Sequence, residues 1–237
     1  MSGVVTLDEY EALDRPHIEF LIEGLIPKPG LVLLLGEAGA GKSFLALQIA
    51  LAVAQGQPFE GHHVRQGKVL YLQFDMSELV QKHRISQLRL AGVHTHGPIY
   101  TLHPDTLPKG VNILHPQHYT LLQDAISSCD PSLIIIDVLR EIHNAEEDDS
   151  TAMKIVGDAL TSLVGQRACL ILHHPRKIAT GLEPKVVDSS RGSSYLAGKV
   201  DAVWLLHNNY LYIGKSRFNE STKYRAKRLK NGLWSLS

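Results

Sequence analysis

Gly36 to Ser43 reads G-E-A-G-A-G-K-S, which has the spacing G-x-x-x-x-G-K-S. Gly36 and Gly41 let the backbone curl until several N–H groups face one point, the geometry that cradles phosphate oxygens. Lys42 is placed to reach the β- and γ-phosphates, and Ser43 offers a hydroxyl to Mg²⁺. An apolar run from Leu31 to Leu35 precedes the glycines. A helical pattern from Ser43 to Gln55 follows and stops at Gly56. That helix turns its positive end toward the phosphates. Gly36, Glu37, Ala38, Gly39, Ala40, Gly41, Lys42, Ser43 and Phe44 are therefore read as nucleotide-binding. A dinucleotide loop fits badly, because Phe44 stands where its third glycine belongs.

Mg²⁺ in such a site takes a carboxylate as well. Asp137 ends the apolar run SLIIIDV, and strand ends lie at the crevice where ligands bind in a parallel sheet. Ser43 and Asp137 are thus the expected metal ligands. Val138 follows Asp137, so the chain has no Asp-Glu pair from which to take a catalytic base. An Asn-Lys-x-Asp base-reading motif is also missing. The base must come from another strand end. KVLYLQF is followed by Asp75, which could orient water against the γ-phosphate.

These residues need a frame. KVLYLQF, IYTLH (Ile99 to His103), SLIIIDV and Ala168 to His173 read as short buried strands. Ser77 to Gly92, Pro116 to Ser128 and Ala152 to Gly165 read as helices between them. Buried strands alternating with helices imply a parallel sheet covered on both faces, a doubly wound α/β core. From about residue 200 the pattern changes. AVWLL, YLYIGKS and KYRAKRL are short or alternating strands, and Lys230-Asn231-Gly232-Leu233 is a hairpin signal. Residues 1–20 read as a lead-in, residues 21–237 as one ATPase domain, and about 200–237 as its β-rich end.

Bulk properties narrow the class. Lys plus Arg equals Asp plus Glu at 24 each, which argues against a generally cationic, polyanion-coating protein. Cys129 and Cys169 form no C-x-x-C pair, so a reducing cytoplasmic setting is expected. The acidic start lacks a signal-peptide core, and no apolar window is long enough for a membrane span. Thirteen histidines are scattered without the spacing of a zinc site.

The segments GEAGAGKSFLALQIA, VLYLQFDMSE, LIIIDVLREIHNAEEDDS, LILHHPRK and RGSSYLAGKVDAVW together resemble the RecA-like ATPases of the RepA type, hexameric replicative helicases of plasmids related to the DnaB and RadA groups. The resemblance spans roughly residues 20 to 236, and HH-x-x-K followed by RGSS is its most specific part. It implies a RecA-like three-layer α/β/α fold with a mainly parallel central sheet and a C-terminal antiparallel β extension. It also implies ATP and Mg²⁺ as cofactors, a hexameric homo-oligomer, single-stranded DNA, and a replication or mobile-element protein partner. His174 takes the place of a γ-phosphate sensor. Arg191 resembles an arginine finger, and Lys215 with Arg217 resembles the finger pair of the DnaB-type motors, each supplied to a neighbour's ATP. The family carries Glu where this chain has Asp75, one methylene shorter.

The expected activity is an ATP-hydrolysing motor, a ring-forming DNA helicase or translocase with active sites between subunits. The loop from Pro175 to Ser190 carries Arg176, Lys177 and Lys185 as DNA-contacting candidates. Residues 215–230 are rich in Lys and Arg, which fits a nucleic-acid face, a subunit interface or a charged edge, with no aromatic pattern that suggests base stacking. Glu146, Glu147, Asp148 and Asp149 fit the start of the helix that follows them. The alternative is a regulatory or scaffold ATPase that assembles on ATP and binds a protein partner without moving DNA.

Overall fold

The computed structural model describes residues 4–13, 18–102, 110–175, 186 and 194–237. It opens with a short exposed helix, α1 (Leu7–Glu11), capped reciprocally by Thr6 and Glu9. A small hairpin follows, β1 (Glu19–Ile22) and β2 (Ile26–Lys28). The alternating core is β3 (Gly30–Gly36), α2 (Lys42–Gln55), β4 (Val69–Gln73), α3 (Glu78–Leu90), β5 (Ile99–Tyr100), α4 (Pro116–Cys129), β6 (Leu133–Asp137), α5 (Ser150–Val164) and β7 (Ala168–His173). A helix not foreseen from sequence, α6 (Ser194–Lys199), leads to β8 (Ala202–His207), β9 (Tyr210–Ser216), β10 (Thr222–Arg228) and β11 (Trp234–Leu236).

Nine strands form one sheet in the order β11-β10-β9-β8-β3-β7-β6-β4-β5. From β8 to β5 every pairing is parallel; β9, β10 and β11 pair antiparallel. The parallel strands are buried on both faces, and period-2 alternation sorts their side chains. Val32, Leu34, Leu133 and Ile135 join the α2 side of the core, with the β1–β2 hairpin. Leu31, Leu33, Ile134 and Ile136 join the side packed by α4, α5 and α6. Ala46, Ala50 and Ala54, spaced by four along α2, are all fully buried, so small side chains let this helix sit close to its neighbours.

In the antiparallel part the turn chemistry sets the register. Asn208 and Asn209 adopt φ of 46° and 62° and join β8 to β9, the left-handed pair that a two-residue hairpin needs. The expected Asn231-Gly232 turn joins β10 to β11, with Gly232 at φ 84°. Among the described residues no helix is long and apolar enough to cross a membrane.

Candidate functional site

The register puts four strand ends along one edge. Leu35 of β3 is level with His173 of β7, and Gln73 of β4 is level with Asp137 of β6. Past those ends lies a cavity of about 350 Å³ lined by Ala38, Gly39, Gly41, Lys42, Ser43, Phe44, Asp75, Arg84, Val138, His174 and Arg228. A larger opening of about 620 Å³ between β5 and α4 is lined by no cation among the described residues and sits away from these strand ends.

Gly41 is the N-cap of α2 with φ 94°, a conformation L side chains avoid. Its carbonyl accepts from the amides of Phe44 and Leu45, both at 3.1 Å, and so starts the helix. Lys42 is 6% exposed, and its ammonium donates to Gly36 O at 2.6 Å and Glu37 O at 3.1 Å. Burial holds its pKa below the ordinary lysine value, against the upward pull of Asp137 and Asp75. A phosphate at the cavity would give this buried cation a counter-charge.

Asp137 is wholly buried. Its Oδ2 accepts from the Tyr71 hydroxyl at 2.9 Å, and from Gln73 at 3.1 Å with that amide turned so that its oxygen accepts from Met76 N–H. Oδ1 has no hydrogen bond of normal geometry among the described residues. Burial raises the carboxyl's pKa, while the Ser43 and Tyr71 hydroxyls and Lys42 draw it down. A buried carboxylate oxygen left open beside a serine hydroxyl matches the hard oxygen donors that Mg²⁺ takes together with substrate phosphates.

Asp75 stands differently. It lies exposed just past the end of β4, and the Phe74 amide donates to the Asp137 carbonyl at 2.8 Å, tying the two strand ends together. Of the histidine pair, His174 lines the cavity; His173 is 1% exposed, with Nε2 3.9 Å from Glu147 Oε1.

Three contributors escaped the sequence reading. Phe44 carries the Arg84 guanidinium 4.8 Å from its ring centroid and that of Arg228 at 4.1 Å. Both guanidiniums line the cavity, and neither has a hydrogen-bond partner among the described residues. Their spacing from Asp75 and from the β10 alternation carries a periodic signal, but only the fold shows which face each takes. The third is Trp234, whose indole N–H donates to Gly41 O at 3.2 Å. A Cβ on Gly41 would come within 2.7 Å of this ring, a second reason for glycine there. Gln48 of α2 holds Trp234 by both backbone groups, at 2.8 and 2.9 Å.

The finger candidates Lys215 and Arg217 do not line this cavity. Lys215 donates to the carbonyls of Ala197, Gly198 and Val200 at 2.7 to 2.8 Å, closing the C-terminal end of α6. Arg217 reaches Gly198 O and Lys199 O, both at 3.2 Å, and Asp201 at 3.4 Å. Arg176, Lys177, Lys185 and Arg191 lie outside the described residues.

A phosphate-cradling loop, a buried lysine and a buried strand-end carboxylate on a mainly parallel sheet define a P-loop ATPase. Residues 2–179 match the AAA domain family, and the chain belongs to that family. In overall shape it is similar to the KaiC-like protein PH0186 from the hyperthermophilic archaeon Pyrococcus horikoshii OT3, with a TM-score of 0.60 at 16% identity over 92% of this chain and 93% of that one. It is also similar to a second solved structure, an ATPase domain, with a TM-score of 0.67 at 15% identity over 96% of this chain and 94% of that one. At these identities the likeness concerns the fold, which is RecA-like.

Proposed function

We propose that the chain is a RecA-type motor of the RepA-like kind, a ring-forming helicase or translocase that couples ATP hydrolysis to movement on single-stranded DNA. The observation that carries this reading is the separation of the two acids. Asp137 ends β6, and Asp75 follows the adjacent strand β4, at matching register. This placement supports a base supplied from the strand beside β6, as the resemblance implies.

In this reading Lys42 and the loop amides hold the β- and γ-phosphates, and Asp75 orients the attacking water in line with the γ-phosphate. Ser43 and Asp137 would hold Mg²⁺, which would supply charge neutralisation on the phosphate oxygens. Arg84 and Arg228 present donors in cis, and His174 senses the γ-phosphate from the end of β7. In this reading Lys215 and Arg217, which do not line their own cavity, act on the phosphate of a neighbouring copy, the role the resemblance also gives Arg191.

ATP turnover measured with and without single-stranded DNA tests the reading, with Lys42→Ala as the blank. Stimulation by DNA is expected. Absence of both stimulation and DNA binding at low salt would sink the motor; assembly on ATP without DNA binding would favour the scaffold alternative. Mixing Arg191→Ala with Lys42→Ala subunits tests shared sites, with partial recovery of activity expected.

A further inference from the structure

Strand β10 divides its charges by parity. Tyr224, Ala226 and Arg228 alternate with Lys223, Arg225 and Lys227, and alternate residues point to opposite faces. Tyr224 and Ala226 belong to the α2 side of the core, and Arg228 reaches Phe44 there. Lys223, Arg225 and Lys227 therefore lie on the other face.

That face also carries aromatics. Residues directly opposite in an antiparallel pair share a face, and the register sets Lys223 against Tyr212 and Arg225 against Tyr210. Tyr224, the aromatic among these cations in sequence, faces α2, and the aromatics on the cationic face come from β9 across the sheet. The two tyrosine rings lie 5.8 Å apart, both partly buried, Tyr212 packing against the core on the α6 side, and Lys223 Nζ sits 5.4 Å from the Tyr210 centroid. The Arg225 and Lys227 side chains have no hydrogen-bond or ion-pair partner among the described residues. No Asp or Glu occurs anywhere in β9, β10 or β11. In a chain of zero net charge, this is a local cationic surface with two stacking faces.

We propose that this face, Tyr210, Tyr212, Lys223, Arg225 and Lys227, binds single-stranded nucleic acid outside the loop expected to contact it. Phosphates pair with the three cations, and successive bases stack on the tyrosines. Residues i and i+2 of a strand repeat about every 6.8 Å, a spacing that suits an extended single strand. Charge complementarity selects a polyanion; paired aromatics select one with flat bases over an acidic protein segment. Val186, the residue after Lys185 in sequence, packs against Gly214 of β9 at the border of this face. The proposal extends the motor reading by giving the strand a second track.

Fluorescence anisotropy of labelled oligo(dT) with the full chain tests it. The triple variant Lys223→Thr, Arg225→Thr, Lys227→Thr is expected to bind at least tenfold more weakly at low salt. Its log–log salt slope should fall by about 2, from roughly 0.7 per phosphate contact. Tyr210→Leu with Tyr212→Leu keeps apolar bulk but removes stacking, and should cost about tenfold per ring; the two Tyr→Phe changes should restore binding. Melting temperatures of all variants separate loss of binding from loss of fold. Unchanged oligo(dT) affinity in well-folded triple and Leu variants overturns the proposal, as does polyglutamate competing as well as oligo(dT). Failure here with DNA-stimulated ATPase intact leaves the motor reading standing. Loss of binding in these variants, in a chain whose ATPase ignores DNA, supports this surface and removes the motor.

Discussion

The parallel and antiparallel halves of the sheet hold their functional side chains by different means. In β3, β4, β6 and β7 both faces are buried, so polar chemistry is confined to strand ends, where Asp137, Asp75 and His174 collect. In β9 to β11 one face packs on α2 and the other does not, so chemistry runs along the strands, and parity alone decides what a residue meets. Arg225 and Arg228 sit three positions apart, yet only Arg228 approaches the P-loop. Precision comes from burial in one half and from alternation in the other.

The contrast breaks most visibly at its parallel end. Lys42→Ala removes the buried cation and is expected to lower ATP turnover by more than about 10³-fold, an effect of the size found for charge-stabilising groups in phosphoryl transfer. A folded variant with near-normal turnover would show that the loop amides suffice. Asp75→Asn should reduce kcat by about 10²–10⁴-fold, the range for general-base placement, with ATP binding little altered because Asp75 is exposed and past the strand. If KM rises while kcat holds, Asp75 is a binding residue instead.

The antiparallel half is tested by a crossed pair. Arg228→Gln should weaken ATP binding about tenfold, near the ~1.5–3 kcal/mol of a charge-assisted hydrogen bond. Arg225→Gln should weaken oligo(dT) binding by a smaller factor. Equal effects of both variants on both ligands would end the parity argument.

The smallest effect concerns His143, buried past Asp137. Burial lowers its pKa below 6.5, with Glu147 opposing. Below that value the unfolded chain binds a proton that the native state resists, so this contribution to stability is present above pH 6.5 and declines as pH falls through 6.5 toward the folded pKa. Between pH 7 and 5.5 the melting temperature should fall, by no more than about 4 °C, and His143→Leu should flatten that part of the profile. A wild-type melting temperature that rises on acidification through this range would reverse the sign.

Much of the parallel half was legible from sequence because burial on both faces writes continuous apolar runs. SLIIIDV and the segment before Gly36 read directly as strands, and the P-loop spacing is local. Tyr71 hid within such a run, since its hydroxyl matters only once β4 lies beside β6. Arg228, Trp234 and the tyrosine–cation face could not be read along the chain, because their partners sit on other strands or on α2. Lys215 shows the same limit. The resemblance gives it a finger's place, but its bonds to the end of α6 could not be foreseen, because that six-residue helix has too short a pattern to register.

The bond from Trp234 to Gly41 O spans 193 residues of chain. A trans peptide is planar, so holding Gly41 O from behind also aims the Lys42 amide N–H in the opposite direction. On the ribosome, the P-loop emerges long before this brace exists. The loop can be synthesised while its first helical peptide has only the Phe44 and Leu45 amides to hold it. The full set of bonds on the Gly41 peptide is then complete only once β11 has joined the sheet.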